Sequence, residues 1–581
     1  MKNFGKKIVS IMLAFALIIG GSSAAMSASA ADLGQTFINA GVSVFQALLS
    51  TIVGGLNFIV PDSKEFVSVA DRNTENFYEG TGKILDEPAD NAVWSLGYAK
   101  TSLVPDDWQE KDYYLGGFID LNNGMSNNVE EIIDDMQARI IAVSDGSGSG
   151  VALFANIDCI GISNGDIKEI RKLVANKNLG VTINSINVSS THVHSCIDTQ
   201  GLWTNLFSKL FKNLALSYLP FVDKEPGVDA EFMEFLYQKV ADAMESAVKN
   251  MTEGKMTYAV KKINEEYFNN KNRKSSDTII NDLSRFVFTP FDTNKKATMI
   301  VNIAAHPDVA GLPVNDVDNG RDLSGDYIYY MGEEIETKGG FNFMFFNGPI
   351  AGIYEGRGLA RDGVSIERRY QETERYGREI AQIALNLTNT EEEISAKADW
   401  NTIHKEMEEG GENYTLWFED WEAVTERELE PKLNILIKEV QIKVTNPLIQ
   451  LVGKLNLVNY TVCKDKLDYY IFAEIGYMEM GDVEVVFMPG EIVQDLVAGG
   501  TSLTAERSYS GKDFGYATIY ELFGDDTVCF GLMNDAIGYV VPDNDYAMAL
   551  IDDHYQEMIS LGRYAASTIM KGFAEIAAEV K

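Results

Sequence analysis

Apolar and polar positions recur with two different periods along the chain, and the change of period predicts where strands and helices lie. Between positions 138 and 158, two apolar runs flank a glycine-rich stretch, which is typical of a β-hairpin. Other apolar runs predict buried strands at 181–188, 297–305, 483–488 and 527–532. Apolar residues at helical spacing predict helices at 164–175, 202–251 and over roughly the last 30 residues. This mixture of strands and helices predicts an α/β scaffold.

The N-terminus has the three-part pattern of a secretory signal peptide. Lysines at positions 2, 6 and 7 precede an apolar run from 8 to 20, and small residues follow up to Ala30. The apolar run is too short for a spanning helix, which needs about 20 apolar residues. We therefore expect residues 1–31 to be a signal peptide and the protein to be secreted or to lie at the extracellular surface.

Residues 32–110 form a predicted N-terminal leader, whose segment 33–60 carries no charged side chain. The apolar residues of this segment are spaced for an amphipathic helix, while its glycines weaken a spanning helix. Two alternatives stay open. Segment 33–60 packs on the rest of the protein, or it makes peripheral contact with a membrane.

Charge and cysteine content narrow the classes of function. The 581-residue chain has a formal net charge of −37, which disfavours nucleic acid and anionic membranes as partners because both are polyanions. The four cysteines are widely spaced and include no C-x-x-C pair. No thiolate metal site is therefore indicated, and a chain of this length does not need a disulfide.

Five residues with metal or acid–base chemistry follow predicted strands directly: His192, His194, His306, Glu491 and Tyr539. Loops at strand ends usually carry the chemistry of an α/β protein, so we expect these side chains to meet at one edge of the core. Two imidazoles and a carboxylate suit Zn²⁺, and an open coordination position lets the ion lower the pKa of a water toward about 7. A phenolate oxygen is a less common ligand.

Each of these residues also has an ordinary explanation. An H-x-H pair such as His192 and His194 is often structural, and His306 could simply end a strand. Glu491 could cap a helix, and Tyr539 could be a core aromatic. The remaining histidines, 404 and 554, lie in predicted helical surroundings and are expected to be structural. The predicted metal site therefore depends on the joint occurrence of its members.

The sequences around these residues resemble four ordered motifs of the neutral/alkaline (non-lysosomal) ceramidase family. The matching segments are Ser190-Thr-His-Val-His-Ser195, Asn302-Ile-Ala-Ala-His-Pro307, Met488-Pro-Gly-Glu491 and Gly538-Tyr-Val-Val541. A weaker similarity occurs at Tyr114-Leu-Gly-Gly-Phe118. The resemblance implies that residues 111–581 form a ceramidase-like catalytic domain with a mixed β-sheet core flanked by helices.

The same resemblance implies roles for individual residues. His192, His306, Glu491 and Tyr539 would bind Zn²⁺, and His194 would be a catalytic hydrogen-bond donor or proton shuttle beside the scissile carbonyl. The implied reaction is hydrolysis of the N-acyl amide of ceramide-like lipids by metal-activated water, which gives a fatty acid and a sphingoid base.

Two departures from the family pattern leave the substrate open. Family members carry a serine in a G-D-x-S-P segment after the second histidine, whereas the comparable stretch here is Asn347-Gly-Pro-Ile-Ala-Gly-Ile-Tyr-Glu355. Zinc-bound water could suffice, Tyr354 or Glu355 could substitute, or the substrate could differ. Only about 35 residues follow Tyr546, so we expect the family's C-terminal immunoglobulin-like domain to be lacking.

Three functions therefore stay open: a ceramidase, a zinc amidase or esterase of the same fold acting on a different acyl substrate, and a non-catalytic surface binding protein. A deep apolar pocket at the metal would favour the first, and a shallow polar cleft the second. A serine nucleophile at Ser195 is a weaker alternative, because no ordered Ser-His-Asp arrangement occurs. Asp308 and Arg321 are candidates for the lining of the cleft.

Overall fold

The computed structural model describes residues 54–55, 57–117, 127–219, 221–272, 276–310, 321–356, 369–396, 417–418, 420–548 and 555–581. The predicted signal peptide, most of segment 33–60 and the histidines at 404 and 554 lie outside these residues. The signal peptide therefore stays a prediction.

The larger of two main sheets has nine strands and is mixed, with two parallel pairings among antiparallel ones. In spatial order its strands are Asn342–Asn347, Thr298–Ile303, Asp282–Pro290, Thr252–Lys262, Trp94–Ser102, Gln137–Ser144, Val151–Ile157 and Ile183–Ser190, and Arg427–Leu429 pairs with Thr252–Lys262. The hairpin predicted between 138 and 158 is confirmed. Trp94–Ser102 is an internal strand, so the core begins before residue 111, within the predicted leader.

The smaller sheet has six strands and is also mixed. Its strands are Val67–Ser68, Cys463–Asp465, Asp468–Met480, Val483–Phe487 and Val528–Phe530 in spatial order, with Leu433–Lys443 paired to Asp468–Met480. Four further two-stranded ladders lie outside the two main sheets; they pair Leu115–Gly116 with Cys196–Ile197, Glu131–Ile132 with Asp322–Leu323, Phe268–Asn270 with Ile353–Glu355, and Glu491–Ile492 with Tyr539–Val540.

The two main sheets pack face to face, and helices cover both outer faces. Phe154 of the larger sheet meets Phe487 of the smaller at a ring-centroid distance of 6.0 Å, and Phe346 stacks on Phe530 at 4.2 Å. Strands in this position are buried on both sides, which explains why they are almost continuously apolar in sequence.

The helices form the two outer layers. Those on the larger sheet are Asn164–Ala175, Ala230–Lys249, Asp326–Glu334, Arg369–Asn386 and Glu391–Ser395. Those on the smaller sheet are Leu206–Leu216, Pro447–Lys454, Asp495–Ala498, Ile519–Phe523 and Ala565–Val580, and the short helix Tyr555–Met558 precedes the last of these. The predicted α/β class, a mixed β-sheet core flanked by helices, is confirmed, with two stacked sheets in four layers.

Two predicted helices are wrong in their extent. The stretch 202–251 contains two helices, Leu206–Leu216 and Ala230–Lys249, because Pro226 and Gly227 interrupt it. The C-terminal helix begins only after Gly562, whose φ of +130° ends the preceding segment. Tyr564, the residue just before this helix, is 51% exposed. None of the helices in the described ranges combines the length and hydropathy that a membrane span requires.

Candidate metal centre

Four of the predicted site residues are brought to one buried region by the ends of the main strands. His192 lies in the loop after Ile183–Ser190, and His306 follows Thr298–Ile303. A short parallel ladder places Glu491 directly opposite Tyr539. All four side chains are almost completely buried.

One carboxylate oxygen of Glu491 faces both histidines. Its Oε2 lies 3.0 Å from Nε2 of His306 and 3.4 Å from Nε2 of His192. The ring of His194 is next to this pair, with its centroid 4.9 Å from that of His192 and 5.8 Å from that of His306. The three imidazoles each offer a nitrogen within 4.8 Å of the others.

Backbone carbonyls fix the tautomers of the two histidines that face Glu491. Nδ1 of His192 is 2.7 Å from the carbonyl of Ile160, and Nδ1 of His306 is 2.9 Å from that of Ile353. A carbonyl only accepts, so each Nδ1 carries a proton and donates it. In a neutral ring, Nε2 then presents a lone pair, which is the orientation found in metal-ligating histidines.

The arrangement of His192 Nε2, His306 Nε2 and Glu491 Oε2 needs a positive charge between these three atoms. Two imidazole lone pairs and a carboxylate oxygen repel one another unless a cation or extra protons lie among them. Ligand atoms about 2.0–2.2 Å from one ion in tetrahedral geometry lie roughly 3.3–3.6 Å apart, close to the separations from Glu491 Oε2. The residues therefore fit a small divalent metal ion.

The electrostatics of the site follow from burial and from the neighbouring imidazoles. Burial alone would raise the pKa of Glu491, but positive charge on the facing His192 and His306 rings holds this pKa well below its usual value, so the group is a carboxylate when protons or a cation lie among these atoms. Burial and the two neighbouring imidazoles lower the pKa of His194 far below its usual value, so its ring is neutral. Burial and Glu491 raise the pKa of the Tyr539 phenol, which keeps its proton unless a cation displaces it.

Tyr354 joins this cluster through three contacts. Its ring stacks on that of His306 with centroids 4.6 Å apart, and its hydroxyl shares a hydrogen bond with Tyr539. The ammonium of Lys271 lies 4.0 Å from the Tyr354 ring centroid. Tyr354, one of the two residues suggested as substitutes for the missing serine, therefore touches predicted ligands.

Local backbone features hold the site in shape. His192 has a φ of +66°, an unusual conformation for a non-glycine residue and one that concentrates at functional sites. Asn347 donates from Nδ2 to the carbonyls of Ser190 and Thr191, at 3.2 and 2.7 Å, and so anchors the loop that carries His192. Gly117 has a φ of +130°, and a Cβ there would lie 2.6 Å from the His194 side chain.

Sequence reasoning did not identify Asn347 or Gly117 as positioning residues. Both lie in segments that were compared with the family: Gly117 in the similar segment Tyr114-Leu-Gly-Gly-Phe118, and Asn347 in the stretch that departs from the family by lacking the serine. The comparison with the family was the only available signal, because neither asparagine nor glycine has metal or acid–base chemistry of its own.

The structure also shows the contacts of three weaker candidates from the sequence: Asp308, Arg321 and Ser195. Asp308 is buried near His306, and burial raises its pKa to about 6. Arg321 forms an ion pair with Glu130 and donates a hydrogen bond to the side-chain oxygen of Asn128. Ser195 donates its hydroxyl to the carbonyl of Ser324 at 2.9 Å, which does not support a serine nucleophile.

Two further sequence expectations have a direct outcome. Helix capping by Glu491 is wrong, because this residue begins a short strand. The four cysteines are free and buried.

No protein-family model matches the sequence, and no curated protein is detectably similar to it. Solved structures do match, including the neutral ceramidase from Pseudomonas aeruginosa and a ceramidase complexed with C2. Each has a TM-score of 0.53 and 13% sequence identity, over 84% of this chain and 75% of that chain. The chain therefore has a neutral ceramidase-like fold.

Proposed function

We propose that this protein is a zinc-dependent hydrolase that cleaves the N-acyl amide of ceramide-like lipids to a fatty acid and a sphingoid base. The observation that carries the proposal is the buried Glu491 Oε2 within 3.4 Å of two imidazole Nε2 atoms, His192 and His306. The fold shared with ceramidases supports it and supplies the substrate class.

The ligands in this proposal are His192, His306 and Glu491, with the Tyr539 hydroxyl as the fourth. Zinc held there would polarise the amide carbonyl and activate a water for attack. The buried position of the site would keep competing water away, which strengthens every electrostatic interaction with the substrate.

His194 is the proposed acid–base residue. Its neutral ring lies beside the two histidine ligands, where it can donate a hydrogen bond to the scissile carbonyl or pass a proton to the leaving amine. Gly117 leaves room for this ring, since any larger residue would press against it.

A second function, a zinc amidase or esterase acting on a different acyl substrate, is favoured by Tyr354. Its ring stacks on His306 and its hydroxyl meets Tyr539, so the surroundings of the ligands differ from the serine-containing pattern of the ceramidase family. A changed surrounding of this kind alters which acyl and amine groups fit beside the metal.

Metal content and substrate cleavage, measured together, test the proposal. Purified protein would be assayed for zinc by emission spectrometry and for fatty-acid release from labelled ceramide, beside a set of simpler acyl amides and esters. We expect one zinc per chain and ceramide cleavage, both lost in His306→Ala. Zinc with cleavage of only the simpler substrates would favour the second function, and zinc with no cleavage a binding protein. Undiminished cleavage by His306→Ala would overturn the metal mechanism.

A further inference from the structure

Two segments far apart in sequence expose large apolar side chains on the same part of the surface. Phe58 and Phe221 are each 93% exposed, and Ile59, Leu219 and Val222 are at least 41% exposed. We call these five residues the apolar patch. Exposed apolar residues scattered singly are ordinary, but a cluster of this kind marks an interaction site.

The two segments are held together by polar contacts, so the patch is one surface. The Tyr218 hydroxyl donates to the carbonyl of Ile59 at 3.4 Å, and Lys64 pairs with Asp223 at 3.0 Å. A depression of about 430 Å³ between them is lined by residues 61–65, 216–219 and 222–224.

The shape of the patch favours a soft, extended partner. A side chain that is 93% exposed protrudes from the surface and does not line a groove. Protruding aromatic side chains suit the boundary between headgroups and acyl chains, where their apolar rings leave water without needing a shaped pocket. A second copy of this chain is a poor partner, because each copy carries a net charge of −37.

Charge selects the kind of lipid. Two ion pairs border the patch, Lys64 with Asp223 and Lys212 with Glu225, while Lys224 donates to the carbonyl of Lys454, so the rim presents charges of both signs. Balanced pairs match headgroups that carry one positive and one negative charge. The net charge of the whole chain opposes approach to an anionic surface.

The chain that leads into the apolar patch from its N-terminal side is also uncharged. Between Asp32 and Asp62 the sequence contains no charged residue, and Phe58 and Ile59 lie near the end of this uncharged stretch. We propose that the apolar patch docks the protein on the surface of a zwitterionic lipid bilayer, with Phe58 and Phe221 inserted at the headgroup boundary. This inference does not depend on the proposed hydrolysis, although a lipid substrate would be found at such a surface.

Vesicle binding by the full chain tests the proposal. Co-sedimentation with phosphatidylcholine vesicles would be compared for the wild type, the double variant Phe58→Ser/Phe221→Ser and the matched control Phe291→Ser, which removes a 56% exposed phenylalanine outside the patch. We expect the wild type and the control to bind equally. The double variant should bind roughly a hundredfold more weakly, at about tenfold for each aromatic side chain.

Several results would overturn docking. Absence of wild-type binding, or equal binding by the double variant, would do so. Stronger binding to phosphatidylserine vesicles would refute the choice of zwitterionic lipid. Light scattering that showed a dimer dissolved by the double variant, without vesicle binding, would assign the patch to a second copy. Hydrolysis of a soluble short-chain amide, assayed without vesicles, keeps failure of docking distinct from failure of the proposed activity.

Discussion

Replacement of Glu491 by glutamine separates a metal site from a buried ion pair. If the site holds a metal, the Nε2 lone pairs of His306 and His192 face Glu491 Oε2 at 3.0 and 3.4 Å, and a cation between these atoms offsets their mutual repulsion. The new carboxamide of Glu491→Gln can donate its N–H to one of these lone pairs, so the metal-free variant should be at least as stable as metal-free wild type.

The same substitution should remove most of the stabilisation by zinc. Zinc at 100 times its Kd stabilises the wild type by about 2.7 kcal/mol. With roughly 2.1 cal/mol/K of unfolding entropy per residue, this corresponds to a rise in Tm of about 2 °C for a chain of this size. Loss of a residue that only supports a metal ligand weakens metal binding by up to about a hundredfold. Loss of Glu491, a direct and anionic ligand in this account, should therefore weaken zinc binding by at least that factor. The variant would then gain only about 0.4 kcal/mol at the same zinc concentration.

Calorimetry with and without zinc, combined with chelator competition, measures both quantities. Glu484→Gln is a suitable control, because Glu484 is a partly buried glutamate bonded to Tyr477 on the adjacent strand. The reasoning is refuted if metal-free Glu491→Gln is about 3–5 kcal/mol less stable than wild type and zinc shifts neither protein. That result would mean that Glu491 pairs with protonated histidine instead of a metal.

Three other predictions concern residues around the site and in the core. Asn347→Ala should weaken zinc binding about 10–100-fold in chelator competition, because it frees the loop that carries His192; unchanged affinity would remove its positioning role. Burial raises the pKa of Asp535 to about 8, so its stabilising effect is complete below the unfolded pKa of about 3.9 and is lost as the pH rises toward 8. Urea unfolding should accordingly show Asp535→Asn gaining stability over wild type between pH 5 and 8, and a constant difference would contradict this. Arg171→Met should lower the free energy of unfolding by about 3–5 kcal/mol because it strands the buried Glu474 carboxylate, and addition of Glu474→Gln should recover part of the loss.

The sequence was most informative where chemistry and strand ends coincide. The residues at 192, 306 and 491 were predicted to meet because each follows an apolar run, and strand ends converge at the edge of a sheet. Their side chains are indeed together, while their role as ligands stays a prediction. Contacts such as Tyr354 on His306 could not be predicted, because they depend on how distant loops pack and leave no local pattern.

The division of the core into two sheets also could not be predicted from the pattern of apolar and polar residues. A strand buried on both faces is continuously apolar whether its second neighbour is a helix or another sheet. Gln137–Ser144 illustrates this, since Ile140 packs under the helices and Ile141 packs between the sheets. Both residues are equally apolar, and only the tertiary arrangement separates their environments.

Anomalous diffraction at the zinc edge, from crystals grown with zinc, tests the metal site most directly. The account predicts one strong peak about 2.0–2.2 Å from Nε2 of His192, Nε2 of His306 and Oε2 of Glu491. Zinc bound elsewhere in the crystal, with no peak among these three atoms, would contradict it.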